Sequence, residues 1–543
     1  MRLIFSLIFT LLLARSSSVR VIQEVEKLKH TALHLPLYHV KGRHDSDQKS
    51  ETPLPFSEAL ALDRTRVMFL NSRLKKKNLT AAHPIVKSKG SGRLIDPKSV
   101  DVPLNPGLSL GIGNYYTKVG LGTPPTYHPV VVDTGSSFSW IQCEPCKVYC
   151  HPQIGPYFNP STSRTYKQLS CDTRQCSALE VATLNNPGCT SSNVCVYLTT
   201  YGDMSTSIGY LSQDSLSLGS GQALSNFVFG CGQDNEGLFG KSAGLFGLAR
   251  NKLSMFSQLS TKYGNIFSYC LPTNTPVGKL GSGGFLSIGK TSSSSYKFTP
   301  MLSEPQDSTL YYLKLSAISV AGRKLGVAAS DYSVPTIIDS GTTISRLTTS
   351  VYKALRRELV RIISSKYRVT EAYSILDACF KGTSVEISKI VPTVQLIFLG
   401  GADLDLAPHN VIIEVENGTT CLGFAGSFDE FAIIGNQQQQ TFEVLYDLSN
   451  SRIGFATGGC RDNRLSSKRY QGTVSTGVCC IHVSALLVAN GHSFSSITSF
   501  LLLQAFTIAT EQGALKVKGI PEAPRIPNTV QETTLSCSTN TTS

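Results

Sequence analysis

The same short motif occurs twice in this chain of 543 residues, and each copy carries one aspartate. Residues 131–137 read VVDTGSS and residues 337–343 read IIDSGTT, so Asp133 and Asp339 occupy equivalent places. In both copies a β-branched apolar run predicts a buried strand, and a glycine just after the aspartate permits a sharp turn. A single motif of this kind is usually a turn whose carboxylate caps nearby N–H groups. The duplication instead predicts two lobes that each contribute one rigidly held carboxylate.

Two carboxylates that face one another at about 3 Å cannot both ionise easily, and they share one proton. The ionised partner can deprotonate a water molecule while the protonated partner donates to the carbonyl under attack. This chemistry suits hydrolysis of an amide in an extended chain and needs no cofactor. A divalent metal held by the pair is the alternative, but sites built from oxygen ligands usually contain more carboxylates. The hydroxyl residues of both motifs are expected to hydrogen-bond the carboxylates and tune their protonation. They are Thr134, Ser136, Ser340 and Thr342.

The elements that must position these aspartates are predicted to be mostly β-strands. Short apolar and hydroxyl-rich runs alternate with Gly and Pro over residues 105–460. The predicted strands are 115–121, 129–132, 194–200, 227–229, 311–320 and 442–446. Two helices are predicted within the region, at 253–263 and at 348–366, the second with Thr349 or Ser350 as its N-cap and an apolar stripe from 351 to 363.

The charge distribution argues against a nucleic-acid binder. The net charge is +13, yet residues 100–460 contain 25 basic and 25 acidic side chains, whereas residues 20–99 contain 16 basic and 8 acidic ones. A nucleic-acid binder would carry a basic patch on its folded domain. Here the basic excess lies toward the ends of the chain instead.

The N-terminal region predicts export and maturation. Residues 1–18 combine Arg2, an apolar run and small residues, which is typical of a secretory signal peptide. Residues 19–99 contain a loose helical face at 58–74, then a basic, Gly- and Ser-rich stretch at 87–93. We interpret this region as a propeptide with an exposed linker, and a flexible N-terminal arm is the alternative. Basic residues in a propeptide could pair with the cleft carboxylates at neutral pH and release as these protonate.

Twelve of the fifteen cysteines lie between Cys143 and Cys460. An even number in an exported domain predicts a disulfide framework, although the sequence alone leaves the connectivity open. The cluster Cys143, Cys146, Cys150 and His151 could also be a zinc knuckle, which an oxidising compartment disfavours. Asn417 begins a potential glycosylation site, which fits an exported protein.

The last region, residues 461–543, differs in character from the rest. Its apolar run at 497–508 is short for a membrane span and is interrupted by Gln504. We assign this C-terminal extension no function. A membrane tether remains an alternative that would change the location of the protein and not its chemistry.

The chain resembles the pepsin-like aspartic endopeptidases of plants, in particular the nepenthesin group, over about residues 55–460. Residues 133–136 and 339–342 match the two active-site loops of that family, and residues 245–247 and 433–435 match its two hydrophobic-hydrophobic-Gly elements. The resemblance implies a mostly β, bilobal pepsin-like fold with an active-site cleft between two β-rich lobes. The N-terminal lobe would span residues 100–295 with a Cys-rich insert, and the C-terminal lobe would span residues 296–460.

The resemblance also implies roles for individual residues. Asp133 and Asp339 would be catalytic, and Tyr201 would be the tyrosine of a flap that closes over bound peptide. Trp140 would hydrogen-bond that tyrosine from behind, while Met204 replaces the glycine common in the wider family. Substrate contacts are expected from Tyr201, Gly135, Gly341 and Thr342, with support from Thr134, Ser136, Ser340 and Trp140. The implied disulfides are Cys143–Cys146, Cys150–Cys231, Cys171–Cys195, Cys176–Cys189, Cys270–Cys460 and Cys379–Cys421.

The sequence therefore predicts a secreted aspartic endopeptidase, made as a zymogen and active at acidic pH. We expect a monomer without metal that acts on proteins or peptides, is inhibited by pepstatin-type compounds and binds neither nucleic acid nor membrane. The expected location is the apoplast or cell wall, or else the vacuole. The competing hypothesis is a catalytically silent protein of the same fold that binds and inhibits glycan hydrolases.

Overall fold

The computed structural model describes most of the predicted protease region and one helix before it. The described residues are 56–76, 100–106, 113–201, 204–219, 222–237, 239–273, 284–289, 295–304, 307–416, 418–427, 430–458, 460, 510–511 and 514–515. The predicted signal peptide, Asn417 and the apolar run at 497–508 lie outside these ranges. Within them, each helix is too short or too polar to cross a membrane.

The chain divides into two compact units, residues 1–464 and residues 465–543. In the second unit the described residues form one antiparallel pair of short strands, Thr510–Glu511 and Ala514–Leu515. All elements discussed below belong to the first unit.

The first unit is mostly β, as the sequence predicts. Its largest sheet joins 16 strands among the described residues. Six of them lie at one end of the sheet and combine early and late parts of the chain: Lys297–Pro300, Arg452–Thr457, Phe442–Asp447, Ile266–Cys270, Gly284–Ile288 and Val100–Pro106. The others come from residues 115–247: Tyr115–Leu121, Thr126–Asp133, Gly244–Gly247, Trp140–Gln142, Gln222–Glu236, Thr206–Leu218, Cys195–Thr200, Gly188–Cys189, Tyr149–Cys150 and Lys167–Gln168.

Three smaller sheets are built from residues 312–434, which we call the second lobe, whereas the strands from residues 115–247 form the first lobe. The five-stranded sheet contains Tyr312–Leu313, Thr336–Ile338, Ala432–Ile434, Ser345–Leu347 and Phe424–Gly426. One four-stranded sheet contains Arg323–Lys324, Leu315–Val320, Val394–Phe398 and Asp403–Leu406. The other contains Val369–Thr370, Cys379–Lys381, Thr419–Leu422 and Ile412–Glu416.

Helices are few in the described ranges, and most are single turns. The α-helices are Phe56–Lys76, Arg174–Ser177, Leu179–Thr183, Met255–Tyr263, Thr349–Ile363, Ser384–Ile387, Pro408–Val411 and Asn436–Gln439, and the 3-10 helices are Pro160–Thr162 and Ala329–Tyr332. Helix Thr349–Ile363 buries the predicted apolar stripe, including Leu355 and Leu359. Its N-cap residue is Thr348, so the predicted N-cap at Thr349 or Ser350 is wrong by one or two residues.

Parallel pairing fixes the strand that leads into each aspartate motif. Strand Thr126–Asp133 pairs in parallel with Gly244–Gly247, and Thr336–Ile338 pairs in parallel with Ala432–Ile434. The glycines that end the two hydrophobic elements lie directly against the motif loops. A Cβ on Gly247 would meet the Ser136 carbonyl oxygen at 2.5 Å, and one on Gly435 would meet the Thr343 carbonyl oxygen at 2.8 Å. Only glycine allows this close approach of backbones, which immobilises the loops.

Six disulfides form, but four of the pairings implied by the family resemblance are wrong. The bonds Cys270–Cys460 and Cys379–Cys421 agree with expectation. The other four bonds in the structure are Cys143–Cys231, Cys146–Cys150, Cys171–Cys189 and Cys176–Cys195. Since Cys143, Cys146 and Cys150 are all oxidised, they do not form the zinc knuckle that their spacing allowed.

Strand register explains the corrected pairings. Strand Trp140–Gln142 runs parallel to Gln222–Glu236, and the Cys143 N–H donates to the Gly232 carbonyl at 3.0 Å, so Cys231 lies beside Cys143. This leaves Cys146 and Cys150 to close a small loop between themselves. A sequence separation of 88 residues hides the first of these contacts from any local pattern.

The corrected framework predicts unequal effects of removing two disulfides. Replacing both cysteines of the 88-residue Cys143–Cys231 loop with Ala is expected to lower the free energy of unfolding by about 4–5 kcal/mol. The same change at Cys146–Cys150, which spans four residues, is the matched control and should cost about 2 kcal/mol. Urea denaturation measures both values, and equal losses would contradict this connectivity. Peptide mapping without reduction checks the pairings themselves.

Candidate active site

The two aspartates of the repeated motif are buried side by side at strand ends. Asp133 is the last residue of Thr126–Asp133, and Asp339 directly follows Thr336–Ile338. Both side chains are fully buried. In each loop the N–H of the motif glycine, Gly135 or Gly341, donates to the Oδ1 of its own aspartate at 2.9 Å. The two loops thus present their carboxylates in the same orientation.

The loops also hold each other through crossed hydrogen bonds. The Ser340 N–H donates to Thr134 Oγ1 at 2.9 Å, and the Thr134 N–H donates to Ser340 Oγ at 3.2 Å. Ser340 Oγ further donates to the Val132 carbonyl at 3.3 Å. The expectation that these two hydroxyls bind the carboxylates is therefore wrong for Thr134 and Ser340. Because they satisfy the opposite backbone, they fix the distance between the lobes at the aspartates.

The other two motif hydroxyls, those of Thr342 and Ser136, differ in whether they hydrogen-bond a carboxylate. Thr342 Oγ1 donates to Asp339 Oδ2 at 2.6 Å, as the sequence predicts. Ser136 lies close enough to Asp133 to lower the pKa of its carboxyl. Among the described residues, however, its buried Oγ has no hydrogen-bond partner. The carboxylate oxygens of Asp133 are engaged by a different donor.

That donor is Arg66, which comes from the N-terminal helix Phe56–Lys76 and lies between the two aspartates. Its Nη2 is 2.7 Å from Asp133 Oδ1 and 3.0 Å from Asp339 Oδ2. Its Nη1 donates to Asp133 Oδ2 and its Nε to Asp339 Oδ2, both at 3.1 Å. One guanidinium therefore bridges both carboxylates, and a Cβ on Gly135 would meet Nη2 at 2.5 Å. The guanidinium therefore fills the space between the two carboxylates.

Beside the guanidinium, the pKa values of the two carboxyls are shifted in opposite directions. Burial alone would raise both pKa values, but the charge of Arg66 and its hydrogen bonds bring the pKa of Asp133 below its ordinary value of 3.8. The pKa of Asp339 remains raised, because burial and the nearby charge of Asp133 outweigh the attraction of Arg66. The carboxylates in turn raise the pKa of Arg66, which keeps its charge.

Apolar side chains dock the N-terminal helix on the second lobe. Val67, Leu70 and Leu74 pack into a cluster with residues that include Tyr312 and Ile433. About two turns before Val67, Leu60 packs in a cluster with Ile344 and others. A fully buried side chain of this size contributes about 1.5–3 kcal/mol. The helix therefore covers the aspartates through an apolar face, with Arg66 inserted at its centre.

A second ion pair ties the same helix to the second lobe. Asp63 and Arg346 are almost fully buried and meet at 2.6 Å through Arg346 Nη2. Asp63 also accepts hydrogen bonds from the backbone N–H groups of Thr343 and Ile344. Burial raises the pKa of Asp63 against the opposing effect of Arg346. Two charged side chains one helical turn apart, Asp63 and Arg66, thus fix the register of the helix over the site.

Tyr201 lies in the turn of a hairpin next to the aspartates, directly after its first strand. The family resemblance implies a flap at this place. Strands Cys195–Thr200 and Thr206–Leu218 form the hairpin. Trp140 Nε1 donates to the Tyr201 hydroxyl at 2.7 Å, and Trp140 is fully buried. Met204 has a left-handed backbone with φ of 64° and is 80% exposed, so it packs little in the turn. The structure therefore places Tyr201 and Asp133 on the same pocket, with Trp140 buried behind the tyrosine.

Replacing Trp140 with Phe is expected to weaken substrate turnover without unfolding the protein. The change removes the donor to the Tyr201 hydroxyl and keeps an aromatic ring in the cluster. A lost hydrogen bond of about 1 kcal/mol corresponds to a fall of about fivefold in kcat/KM. Steady-state kinetics of peptide cleavage, the activity that the sequence predicts, check this. Tyr201→Phe is the matched control, and the double variant should lose no more than the larger single loss if the two groups act together.

The sequence indicated the kind of contact that Arg66 makes but not the residue. The basic character of residues 19–99 suggested pairing with the cleft carboxylates, while Asp63 and Arg346 were not expected to take part. No local signal singles out Arg66, since Arg73 precedes the apolar residue Leu74 on the same helix just as Arg66 precedes Val67. Nothing local links Asp63 to Arg346, which lies 283 residues further on.

Comparison with known proteins identifies the family. The family models described as "Xylanase inhibitor N-terminal" and "Xylanase inhibitor C-terminal" match residues 115–290 and 310–457. An aspartyl protease family protein of Arabidopsis thaliana is 39% identical over 453 residues, which cover 83% of this chain and 91% of the relative. Aspartic proteinase nepenthesin-1 of Nepenthes gracilis is 34% identical over 360 residues, which cover 64% of this chain and 79% of the relative.

Solved structures confirm the fold. Basic 7S globulin from soybean is 22% identical with a TM-score of 0.53, covering 67% of this chain and 97% of its own. The protein edgp is 20% identical with a TM-score of 0.54, covering 68% of this chain and 97% of its own. The chain belongs to the nepenthesin-like aspartic proteases of plants and has their bilobal, pepsin-like fold.

Proposed function

We propose that this protein is a secreted aspartic endopeptidase made as a zymogen whose N-terminal helix covers the active site. One observation carries the proposal: a single guanidinium, Arg66, bridges two fully buried carboxylates supplied by opposite lobes. A carboxylate pair that served only the fold would not need a removable cation from a separate segment. Residues 19–99 would then be the propeptide, and cleavage within residues 87–105 would release it.

The arrangement supports peptide hydrolysis once the helix has left. Burial and the charge of Asp133 raise the pKa of Asp339 even beside Arg66, so after the helix has left Asp339 would hold the shared proton as the acid and Asp133 would be the base. Asp133 would take a proton from a water molecule, whose oxygen attacks the peptide carbonyl while Asp339 donates its proton to the carbonyl oxygen. Collapse of the tetrahedral intermediate, with proton transfer to the leaving nitrogen, would break the C–N bond. Thr342 would keep Asp339 oriented through its 2.6 Å hydrogen bond.

Six disulfides favour an oxidising compartment and hence export. The competing function is a catalytically inactive binding protein, because the matching family models are described as xylanase inhibitor domains. The presence of both aspartates with their glycine and threonine hydrogen bonds favours catalysis instead.

Acidification of the purified precursor tests the proposal. The protein is held at about pH 3 and then assayed on a quenched fluorescent peptide library, with the chain length followed by intact mass. We expect loss of the N-terminal segment and the appearance of pepstatin-sensitive cleavage. A protein that loses the segment, by itself or to an added protease, and still cleaves nothing would be a binding protein.

The pH dependence of opening follows from Asp133. Its pKa is depressed in the closed precursor, so the ion pair with Arg66 contributes fully above the ordinary carboxyl pKa of 3.8 and is lost as the pH falls through the depressed value. Arg66 also lowers the pKa of Asp339 in the closed precursor, so the loss of Arg66 on opening gives this carboxyl the same sign as Asp133. Asp63 has a pKa raised by burial in the closed form and therefore the opposite sign, which makes the net dependence shallower. We expect acid to favour opening in the wild type and to favour it much less in Arg66→Gln. Hydrogen exchange of the helix against pH measures this, and equal slopes would contradict it.

A further inference from the structure

Asp63 is held in the second lobe as a ligand is held in a pocket. The N–H of Thr343 donates to its Oδ1, the N–H of Ile344 donates to its Oδ2 at 3.4 Å, and Arg346 Nη2 donates to Oδ2 at 2.6 Å. The Asp63 side chain is 1% exposed and that of Arg346 is 4% exposed. Three donors that lie within four residues of the chain thus converge on one carboxylate. We call these donors, Thr343, Ile344 and Arg346, the Arg346 pocket.

The pocket and its occupant belong to different parts of the precursor. All three donors follow Asp339 within seven residues, so they belong to the lobe that carries the candidate catalytic machinery. Asp63 belongs to the N-terminal helix, which under the proposed function is removed. Maturation would therefore leave the pocket in place and take its carboxylate away.

Arg346 has no second carboxylate to replace Asp63 in the described part of the chain. The titratable groups that act on it there are Asp63 and Tyr352, which raise its pKa, and Arg64, which lowers it, so Asp63 is the one carboxylate among them. Its Nη1 is buried and lacks a hydrogen-bond partner among the described residues. Removal of the helix would leave this guanidinium facing the cleft without its carboxylate, together with the N–H groups of Thr343 and Ile344. The emptied pocket is therefore built to accept another anion from the cleft.

The spacing on the helix places the pocket close to the aspartate pair. Asp63 precedes Arg66 by three residues, a rise of about 4.5 Å along a helix axis. An extended peptide advances about 3.3 Å per residue. A side chain that reaches the pocket would therefore belong to a residue within about three positions of the peptide bond that lies over Asp133 and Asp339.

We propose that the Arg346 pocket is a specificity subsite of the mature protease that binds an Asp or Glu side chain of the substrate within about three residues of the scissile bond. The inference rests on the proposed function and adds that Asp63 fills this subsite in the precursor as a mimic of the substrate. Two N–H groups and a guanidinium select a carboxylate, because Asn and Gln would direct an NH2 donor at other donors.

Paired substrates test the subsite. Matured wild-type protein is given peptides that carry Asp or Asn, or Glu or Gln, at each of three positions on either side of the cleaved bond. We expect kcat/KM for the acidic peptide to exceed that for its amide by about tenfold or more at one position. Arg346→Gln should lose this preference, so that its kcat/KM values for the acidic and the amide peptide become equal. Arg356→Gln, an exposed arginine of the same lobe that pairs with Asp377, is the matched control and should keep the preference.

The variants are produced so that each result decides the question. Arg346→Gln is also combined with Asp63→Asn, because the precursor would otherwise bury an unpaired carboxylate, and Arg346→Lys, which keeps the charge, should retain part of the preference. A wild-type protein that cleaves acidic and amide peptides equally, or a preference that survives in Arg346→Gln, would overturn the subsite. Failure of the proposed function is distinct, since then no variant cleaves any peptide. In that case calorimetric titration with the same peptide pairs decides, and equal affinities for Asp and Asn peptides would overturn the subsite.

Discussion

Replacing Asp133 or Asp339 with Asn should lower peptide cleavage by the matured protein at least about 10³-fold, while the fold remains intact. Each carboxylate supplies half of the proposed acid–base pair, and acid–base groups contribute about 10²–10⁴-fold to rate. Asn keeps the shape of the side chain, and its Oδ1 can still accept from the glycine N–H that holds each aspartate at 2.9 Å. The loss should therefore come from the missing ionisation and not from a collapsed loop.

The measurement is kcat/KM on one fluorescent peptide, after an added protease has removed the N-terminal segment from every variant. Added protease is needed because a variant without activity cannot process itself. Asp405→Asn, at an exposed position of the second lobe, is the control for loss of one carboxylate. The double variant should be no slower than the slower single variant, because the pair acts as a unit. Residual activity within tenfold of the wild type in either single variant would refute the proposed mechanism.

Replacing Arg66 with Gln should remove the latency of the precursor. Breaking a buried ion pair by removing one partner costs about 3–5 kcal/mol, and here one guanidinium pairs with two carboxylates. The equilibrium between the closed and open precursor should therefore shift toward the open form by about 10²-fold or more. Burst activity directly after transfer to mildly acidic buffer should rise accordingly.

Two further variants make the Arg66 result specific. Arg64→Gln removes an exposed cation two residues away on the same helix and should stay as latent as the wild type. Arg66→Lys keeps the charge without the forked geometry and should be partly latent. A precursor of Arg66→Gln that opens no faster than the wild type would show that the apolar face of the helix, and not the ion pair, keeps the cleft closed.

The local part of this site could be predicted from sequence because its determinants are local. A β-branched run, the aspartate and the glycine at each motif already specify a strand end and a sharp turn, and the duplication implies two lobes. Strand Tyr115–Leu121 has the predicted bounds, and the stripe on helix Thr349–Ile363 is buried as expected. Periodicity and turn chemistry suffice for such elements.

Contacts between distant parts of the chain could not be predicted in the same way. The hydroxyls of Thr134 and Ser340 satisfy each other's backbone across 206 residues, which no local pattern encodes. The disulfides among Cys143, Cys146, Cys150 and Cys231 depend on the register of two parallel strands. Cys379 and Cys421 were paired correctly from the family resemblance, and they lie directly opposite each other on neighbouring strands.

The N-terminal helix illustrates the same limit for function. Its basic character suggested that it would meet carboxylates, but the identity of Arg66 depends on how the apolar face seats on the second lobe. The pairing of Asp63 with Arg346 adds a second fixed point that sequence gives no means to find. Both fixed points come from tertiary packing.

Active-site titration with pepstatin most directly tests whether Asp133 and Asp339 form a working pair that Arg66 covers. Calorimetry is carried out on the purified precursor at neutral pH and on the matured protein at acidic pH. The account predicts no binding to the precursor, because the guanidinium lies within 3.2 Å of both carboxylates, and one inhibitor per chain after maturation. A matured protein that binds no pepstatin, or a precursor that binds it as well as the matured protein does, would contradict the account.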